Sequence, residues 1–439
     1  MVIAVALVLL SIPAANAAIR YAAPGGSGKD PCRNPANPCS VHLAADAHAR
    51  GTTIEAGDVV ELAPGTYVAE SEGEFGFIPS VVLPGGVSVR GEPGKRRPRI
   101  VVRDNESYGA FYVPEGAEVA DVVIRDVSGQ GPGIAVSGGT LDRVVVRTTS
   151  VEPACNYTEG TIRSSACINT AGGIAIGVNN VATKGSLKGV IRDSTFVATG
   201  PGSVGMNLVY SAFKRGLTVR IDAAGVLIEG EEADVVLKGW PLNKGRGAEA
   251  ELTLRNSSYK TVETEAKAGG RAFVTRPGTN GNITESPLLA PDYLHQVPGS
   301  PTIDRGVADS DSGALDIDDE PRTIGAAVDI GADEFSFLAP HANAAPVTEL
   351  VQAPFTGGHR NLITPERKAE FEFGSSDIDS RFECKLDDRP YRPCASPYRL
   401  VVGLGRHVFR VRAVDPQGRV DPTPAVFRWR VLRWRFFLP

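Results

Sequence analysis

Eight short apolar segments, each ending on a basic residue, recur between residues 85 and 263: Val87-Ser88-Val89-Arg90, Ile100-Val101-Val102-Arg103, Val122-Val123-Ile124-Arg125, Val144-Val145-Val146-Arg147, Gly189-Val190-Ile191-Arg192, Leu217-Thr218-Val219-Arg220, Val235-Val236-Leu237-Lys238 and Leu252-Thr253-Leu254-Arg255. Arg125 and Arg147 are 22 residues apart, Arg192 follows 45 later, and the remaining gaps of 13, 28, 18 and 17 scatter around one such period. A repeat on this scale means a stack of supersecondary units, none of which buries its apolar face alone. The segments are rich in Val and Ile and bounded by Gly, Pro, Asn, Asp and Ser, which marks them as strands between tight turns. Helices are excluded, because no long window carries apolar residues at i, i+3, i+4 and i+7 without an interrupting Gly. Runs such as Val144-Val145-Val146 are continuous rather than alternating, the pattern of parallel strands covered on both faces. No room exists between successive strands for the crossover helix of a βαβ unit, so the remaining arrangement is a coil, each turn laid on the last: a parallel β-helix. Gly133-Ile134-Ala135-Val136, Gly173-Ile174-Ala175-Ile176 and Val204-Gly205-Met206-Asn207-Leu208 form a second ladder between members of the first.

The 439 residues suffice for two or three domains, and 49 Gly with 32 Pro suit turn-rich β structure. A net charge of -5 gives no bulk case for nucleic acid or an anionic membrane. Residues 1–17 read as a secretory signal peptide, with an apolar run from Val2 to Ile12, then Pro13 and Ala15-Asn16-Ala17 as the cleavage site. No other segment is long enough to span a bilayer, so the mature chain is expected without a transmembrane segment, secreted or at the cell surface, and monomeric. The six cysteines fall into three local pairs, Cys32 with Cys39, Cys155 with Cys167 and Cys384 with Cys394, each expected to close a short disulfide loop in an oxidising compartment.

In chain order, residues 18–80 are expected to form an N-terminal cap and first turn, with a short helical stretch from Val41 to His48. Ala56-Gly57-Asp58-Val59-Val60-Glu61-Leu62-Ala63-Pro64-Gly65-Thr66-Tyr67 resembles the opening turn of secreted right-handed parallel β-helix proteins of the pectin-lyase-like superfamily. The coil follows over residues 81–280, and Val151 to Asn169, with its cysteine pair, reads as a stapled loop protruding from one rung. Residues 281–340 carry Ser300-Pro301-Thr302-Ile303-Asp304-Arg305-Gly306, Asp316-Ile317-Asp318-Asp319-Glu320-Pro321-Arg322 and Val328-Asp329-Ile330-Gly331-Ala332-Asp333-Glu334-Phe335. These blocks resemble the C-terminal end-cap segment of the choice-of-anchor Q group of bacterial β-helix surface proteins, departing at Asp319, where that group usually has Gly. Residues 346–432 switch to period-2 alternation, as in Ala369-Glu370-Phe371-Glu372-Phe373 and Val408-Phe409-Arg410-Val411-Arg412. They resemble a bacterial Ig-like module, a small β-sandwich in which the cysteine pair would staple one hairpin. Residues 433–439 remain as a tail.

The sharpest candidate for a functional surface is the basic ladder. Stacked in register, its members would line one face at about 4.8 Å spacing, and Arg125, Arg147, Arg192 and Arg220 would bind an acidic polysaccharide through carboxylate or sulfate groups. Asp104, Asp126 and Asp193 directly follow three of these Arg residues, so the alternative is a self-neutralised solvated face. A polysaccharide lyase would need a carboxylate neutraliser and a proton-abstracting base. Lys188, Arg192 and Tyr210 are available by type, although nothing in the sequence brings them together. The paired-Asp motifs of pectinase-type hydrolases are missing, and no His lies between His48 and His295. Asp309, Asp311, Asp316 and Asp318, with Asp319 and Glu320, offer oxygen ligands for Ca²⁺, without the spacing of an EF-hand. The alternative is a salt-bridged loop in which Arg322 pairs with Asp329 or Glu334.

The expected architecture is all-β: a right-handed parallel β-helix solenoid followed by a small Ig-like β-sandwich. The expected function is non-catalytic binding of carbohydrate or extracellular matrix, the alternative being a polysaccharide lyase or glycosidase acting in a groove beside the Cys155 to Cys167 segment.

Overall fold

The computed structural model describes residues 17–49, 51–70, 81–103, 109–126, 131–182, 185–212, 217–241, 247–290, 292–336, 346, 348–352, 363–375, 380–415 and 418–433. The expected signal peptide and tail lie outside them, apart from Ala17 and Arg433. Two compact units form, one of Met1–Leu289 with Tyr293–Phe335 and one of Ala290–Asp292 with Ser336–Pro439.

In the first unit the strands pair in parallel into a sixteen-stranded and a seven-stranded sheet. The larger sheet bends into two faces, because long strands change partners half-way. In Ile134–Asp142, Ala135 and Val136 sit opposite Tyr112 and Val113, whereas Thr140, Leu141 and Asp142 sit opposite Glu118, Val119 and Ala120. Gly138, at φ +97°, occupies the bend, a conformation that disfavours any side chain. The coil therefore has three faces and is β-helical, as the repeat predicts. Arg125 and Arg147 are partners in the register, so their spacing of one period is one turn. The second ladder also stacks, Ile174 and Ile176 lying opposite Val204 and Met206.

The corner between the second and third faces is made the same way on six successive rungs. One residue per turn, Asp121, Arg143, Ser164, Asp193, Gly225 or Asn256, adopts the left-handed conformation, with φ between 44° and 68°. Each of their amides donates to the carbonyl of a residue in the next rung: Asp142, Arg163, Arg192, Ala224, Arg255 and Asn280, at 3.0–3.2 Å. Asp, Asn and Gly tolerate this conformation best, which accounts for four of the six. Inside the corner, buried Ser165, Ser194 and Ser257 each donate to the carbonyl two residues back, at 2.6–2.8 Å. The Ser165 and Ser257 hydroxyls also accept the amides of Val144 and Val226 at 3.1 Å. These bonds satisfy backbone groups that a sharp turn would otherwise bury without partners.

Val151 to Asn169 is a full part of the coil and not a protruding loop. It holds strands Cys155–Arg163 and Ala166–Asn169 on different sheets, and both cysteines point into the lumen, fully buried. The Cys155–Cys167 disulfide thus ties two walls of one turn together, and Cys32–Cys39 lies in the N-terminal cap. There, strand Ile19–Ala22 pairs with Val59–Leu62, and helix Val41–Ala45 is capped by Ser40, whose Oγ accepts the Leu43 amide. The second unit has a three-stranded and a five-stranded sheet, their strand pairs mainly antiparallel. Its core is aromatic, with Phe371 and Phe409 ring centroids 4.1 Å apart and Trp429 buried beside them. Cys384–Cys394 joins the neighbouring strands Arg381–Leu386 and Arg392–Cys394.

The corner makes a testable demand. A Cβ at Gly225 would enter the left-handed conformation and run into Asp193 Oδ1. Gly225→Ala is expected to lower unfolding free energy by about 2–3 kcal/mol in urea titrations, whereas Asn256→Gly costs less than about 1 kcal/mol. Equal effects would contradict the corner assignment.

Candidate ligand-binding face

Outward side chains of the second face stand in registered columns. Lys188, Arg220, Glu251 and Phe273 form one, and Ser186, Thr218, Glu249 and Arg271 the next, on strands Ser186–Arg192, Thr218–Ala224, Glu249–Arg255 and Arg271–Val274. The period-2 alternation of each strand sets this, since Val219, Ile221, Ala250 and Leu252 take the lumenal positions between them. A shallow groove of about 280 Å³ crosses the columns, lined by Arg220, Glu249, Glu251, Arg271 and Phe273. Phe273 is 48% exposed and presents its ring to the groove. The Arg220 and Glu251 side chains approach only to 3.9 Å, both well exposed. A pair of this kind is worth little to stability and remains open to a ligand.

The basic ladder does not form a single line. Arg90, Arg192, Arg220 and Arg255 belong to the second face, Arg103, Arg125 and Arg147 to the third, and Lys238 to the first. Within the second face, Arg192 and Arg255 lie in the column of Ala224, apart from Lys188 and Arg220. Strand segments of unequal length, with different numbers of residues between a basic residue and its corner, scatter what the spacing alone suggests is one stripe. Arg147 is also nearly buried, at 8% exposure, whereas Arg125 and Arg220 are exposed.

Lys188, Arg192 and Tyr210 are not brought together. Lys188 is exposed in the open column. Tyr210 alternates inward with Met206 and Leu208 on strand Val204–Ala212 and is fully buried in the lumen, where desolvation raises its phenol. Arg192 is 2% exposed and enclosed by carboxylates. It meets Asp222 Oδ2 and Asp309 Oδ2 at 2.8 Å each and Asp311 Oδ2 at 3.5 Å. Burial works against its charge, but the bonds to Asp309 and Asp222 outweigh it and leave the guanidinium above its ordinary range.

Asp309 and Asp311 belong to a strap, residues 281–289 and 293–335, that runs along the corner and the third face. Its apolar side chains cover the outer surface of that sheet: Leu294, Ile317 and Ala332 cluster with Val145, Ala166 and Ile168, and Ile283 and Ile330 with Val197 and Leu227. The continuous Val run demands such a cover, and each fully covered Val, Ile or Leu contributes about 1.5–3 kcal/mol. Polar bonds set the strap's register. The Gly331 amide donates to the Gly225 carbonyl at 2.9 Å, the Ala332 amide to Thr195 Oγ1 at 2.9 Å, and Ser164 Oγ to the Leu315 carbonyl at 2.8 Å. Asp319, at the departure from the end-cap motif, meets Arg97 at 3.0 Å and Arg143 at 3.3 Å.

The expected Ca²⁺ ligands are divided among other tasks. Asp309 and Asp311 face Arg192, and Asp316 accepts the amides of Asp318, Glu320 and Glu334 at 2.8–3.0 Å. Asp318 pairs with His295 Nε2 at 2.8 Å. Arg322 Nε lies 3.2 Å from Glu334 Oε1. Burial pushes Glu334 up to about 8 against the pull of Arg322. Sequence reasoning missed Glu249, Glu251, Arg271 and Phe273; the available signal was Phe273 alternating against Ala272 and Val274 on an edge strand.

No family model matches the chain, and no curated protein matches it. Among solved structures it is similar to the tailspike protein gp49 of Acinetobacter baumannii bacteriophage Fri1, a capsular polysaccharide depolymerase, at 10% identity and a TM-score of 0.24, over 85% of this chain and 73% of that one. No residue correspondence is drawn at that level.

If the Arg192 cluster fastens the strap, Arg192→Ala should destabilise the protein by about 2–3 kcal/mol, the low end for a buried ion pair because Asp222 and Asp309 can rehydrate. Asp309→Asn should cost about 1 kcal/mol. Urea unfolding checks both, and a change below about 0.5 kcal/mol for Arg192→Ala would place the strap's anchorage elsewhere.

Proposed function

We propose that the protein is an extracellular β-helix that holds an acidic polysaccharide across the rungs of its second face without cleaving it. The observation that carries this reading is the exposed set of Arg220, Arg271 and Phe273 lining one groove, with Lys188 in register beside Arg220. The three cations supply point and forked donors for uronate or sulfate groups, and the Phe273 ring offers an apolar platform for the C–H face of a sugar. Glu249 and Glu251 accept hydrogen bonds from sugar hydroxyls and break the cationic field into short stretches. Three disulfides fit an oxidising, extracellular setting for such a binder.

Cleavage is disfavoured by placement. The lyase candidates Arg192 and Tyr210 face Asp309 and the lumen respectively, away from the groove. Glu251 is solvated on an open surface, whereas glycosidases desolvate their general acid.

Microarray or calorimetric binding to uronic-acid polysaccharides tests the reading. Arg220→Ala with Arg271→Ala should weaken binding about tenfold or more, Phe273→Ala by a similar factor, and added salt should weaken the unmodified protein. Arg125→Ala, on the third face, should leave affinity unchanged. Binding lost with Arg125→Ala and retained without Arg220 would overturn the assignment. Unsaturated or reducing-end products would replace a binder with an enzyme.

A further inference from the structure

Three limbs of the strap converge at one point that neither the groove nor the coil uses. His295 comes from the first limb, Asp318 from the central turn 23 residues later, and Asp333 from the last limb. One ring nitrogen and one oxygen from each carboxylate lie within 4.8 Å of one another. We propose that His295, Asp318 and Asp333 form a divalent transition-metal site that clips the strap's limbs together, with Zn²⁺ as the natural probe.

The argument rests on more than proximity. Asp333 is 6% exposed, and its Oδ2 accepts the Gln296 amide at 2.8 Å. A carboxylate this buried calls for a cation or a full set of donors. Arg322, elsewhere in the strap core, is engaged by Glu334 and the carbonyls of Gly331 and Ala332. The charges that bear on Asp333 include the carboxylates of Asp318 and Asp316 beside the imidazole of His295, a setting that suits a dication. The surrounding bonds also orient the ligands. Gln296 holds Asp333, and the Asp318 amide donates to Asp316 Oδ1 at 2.9 Å, fixing the turn that presents Asp318. The His295 and Asp318 side chains are 39% and 27% exposed, which leaves a path for the ion and room for water as a further ligand. One imidazole with two carboxylates suits Zn²⁺ or Mn²⁺, whereas Ca²⁺ prefers oxygen alone.

The test uses the mature chain without an oligohistidine tag, stripped by chelator and titrated with Zn²⁺ alone. One equivalent should bind in calorimetry, and the thermal midpoint should rise with Zn²⁺ concentration. His295→Gln and Asp318→Asn alter half-exposed side chains and leave the core intact; each should weaken binding about tenfold or more and remove the thermal shift. His48→Gln is the control, because His48 and His42 flank Asp46 on the surface of the N-terminal cap. Absence of binding, binding unchanged by His295→Gln, or binding abolished by His48→Gln would each overturn the proposal.

Discussion

The left-handed residue at the corner between the second and third faces is the constraint on which the rest of the coil depends. A parallel coil must turn sharply without stranding backbone groups, and here one residue per rung turns while its amide reaches the carbonyl of the next rung. Just inside three of the six corners, Ser165, Ser194 and Ser257 add further bonds from within. Conformational strain of about 1 kcal/mol or more per non-Gly corner is offset because stacking repeats the same bonds from rung to rung.

The strap follows from the same geometry. A corner of this kind presents backbone carbonyls and polar side chains outward beside a strip of Val, Ile and Leu, and only a segment offering both kinds of partner can cover it. Residues 293–335 do so, with Ile317, Ile330 and Ala332 on the apolar strip and Gly331, Arg322 and Asp319 on the corner. Gly331 reaches Gly225 and Arg322 reaches the Asp193 carbonyl, so the strap reads two neighbouring rungs at their turning points. Arg192 is consumed in this attachment. The cations left for a ligand are Lys188, Arg220 and Arg271, in the columns further from the corner.

The coil was legible because its strands are short, β-branched and punctuated, and because Arg125 and Arg147 mark a whole turn. The continuous Val144-Val145-Val146 run even announced that something must cover the third face. What covers it was not legible as a position: the end-cap resemblance concerns motifs, whereas the placement of Asp309 on Arg192 joins residues 117 apart. The basic ladder misled for a related reason. A period in sequence says that residues recur each turn, but the face on which each falls depends on how many residues separate it from its corner. The candidate groove was hidden because Phe273 and Arg271 sit on the last strand of their column, beyond the repeat that draws attention. His295 and Asp333 carried no local pattern, since their proximity exists only once the strap has folded on itself.

The most direct test of this account is a cross-link between strap and corner. A Cβ built on Gly313 would stand 3.0 Å from Ser164 Oγ, the separation between a sulfur and the partner Cβ in a disulfide. Ser164→Cys combined with Gly313→Cys, oxidised and mapped by peptide mass spectrometry, should yield a fourth disulfide between those positions in nearly all molecules, with the native three retained. Two free thiols in a folded protein would contradict the placement of the strap on the corner.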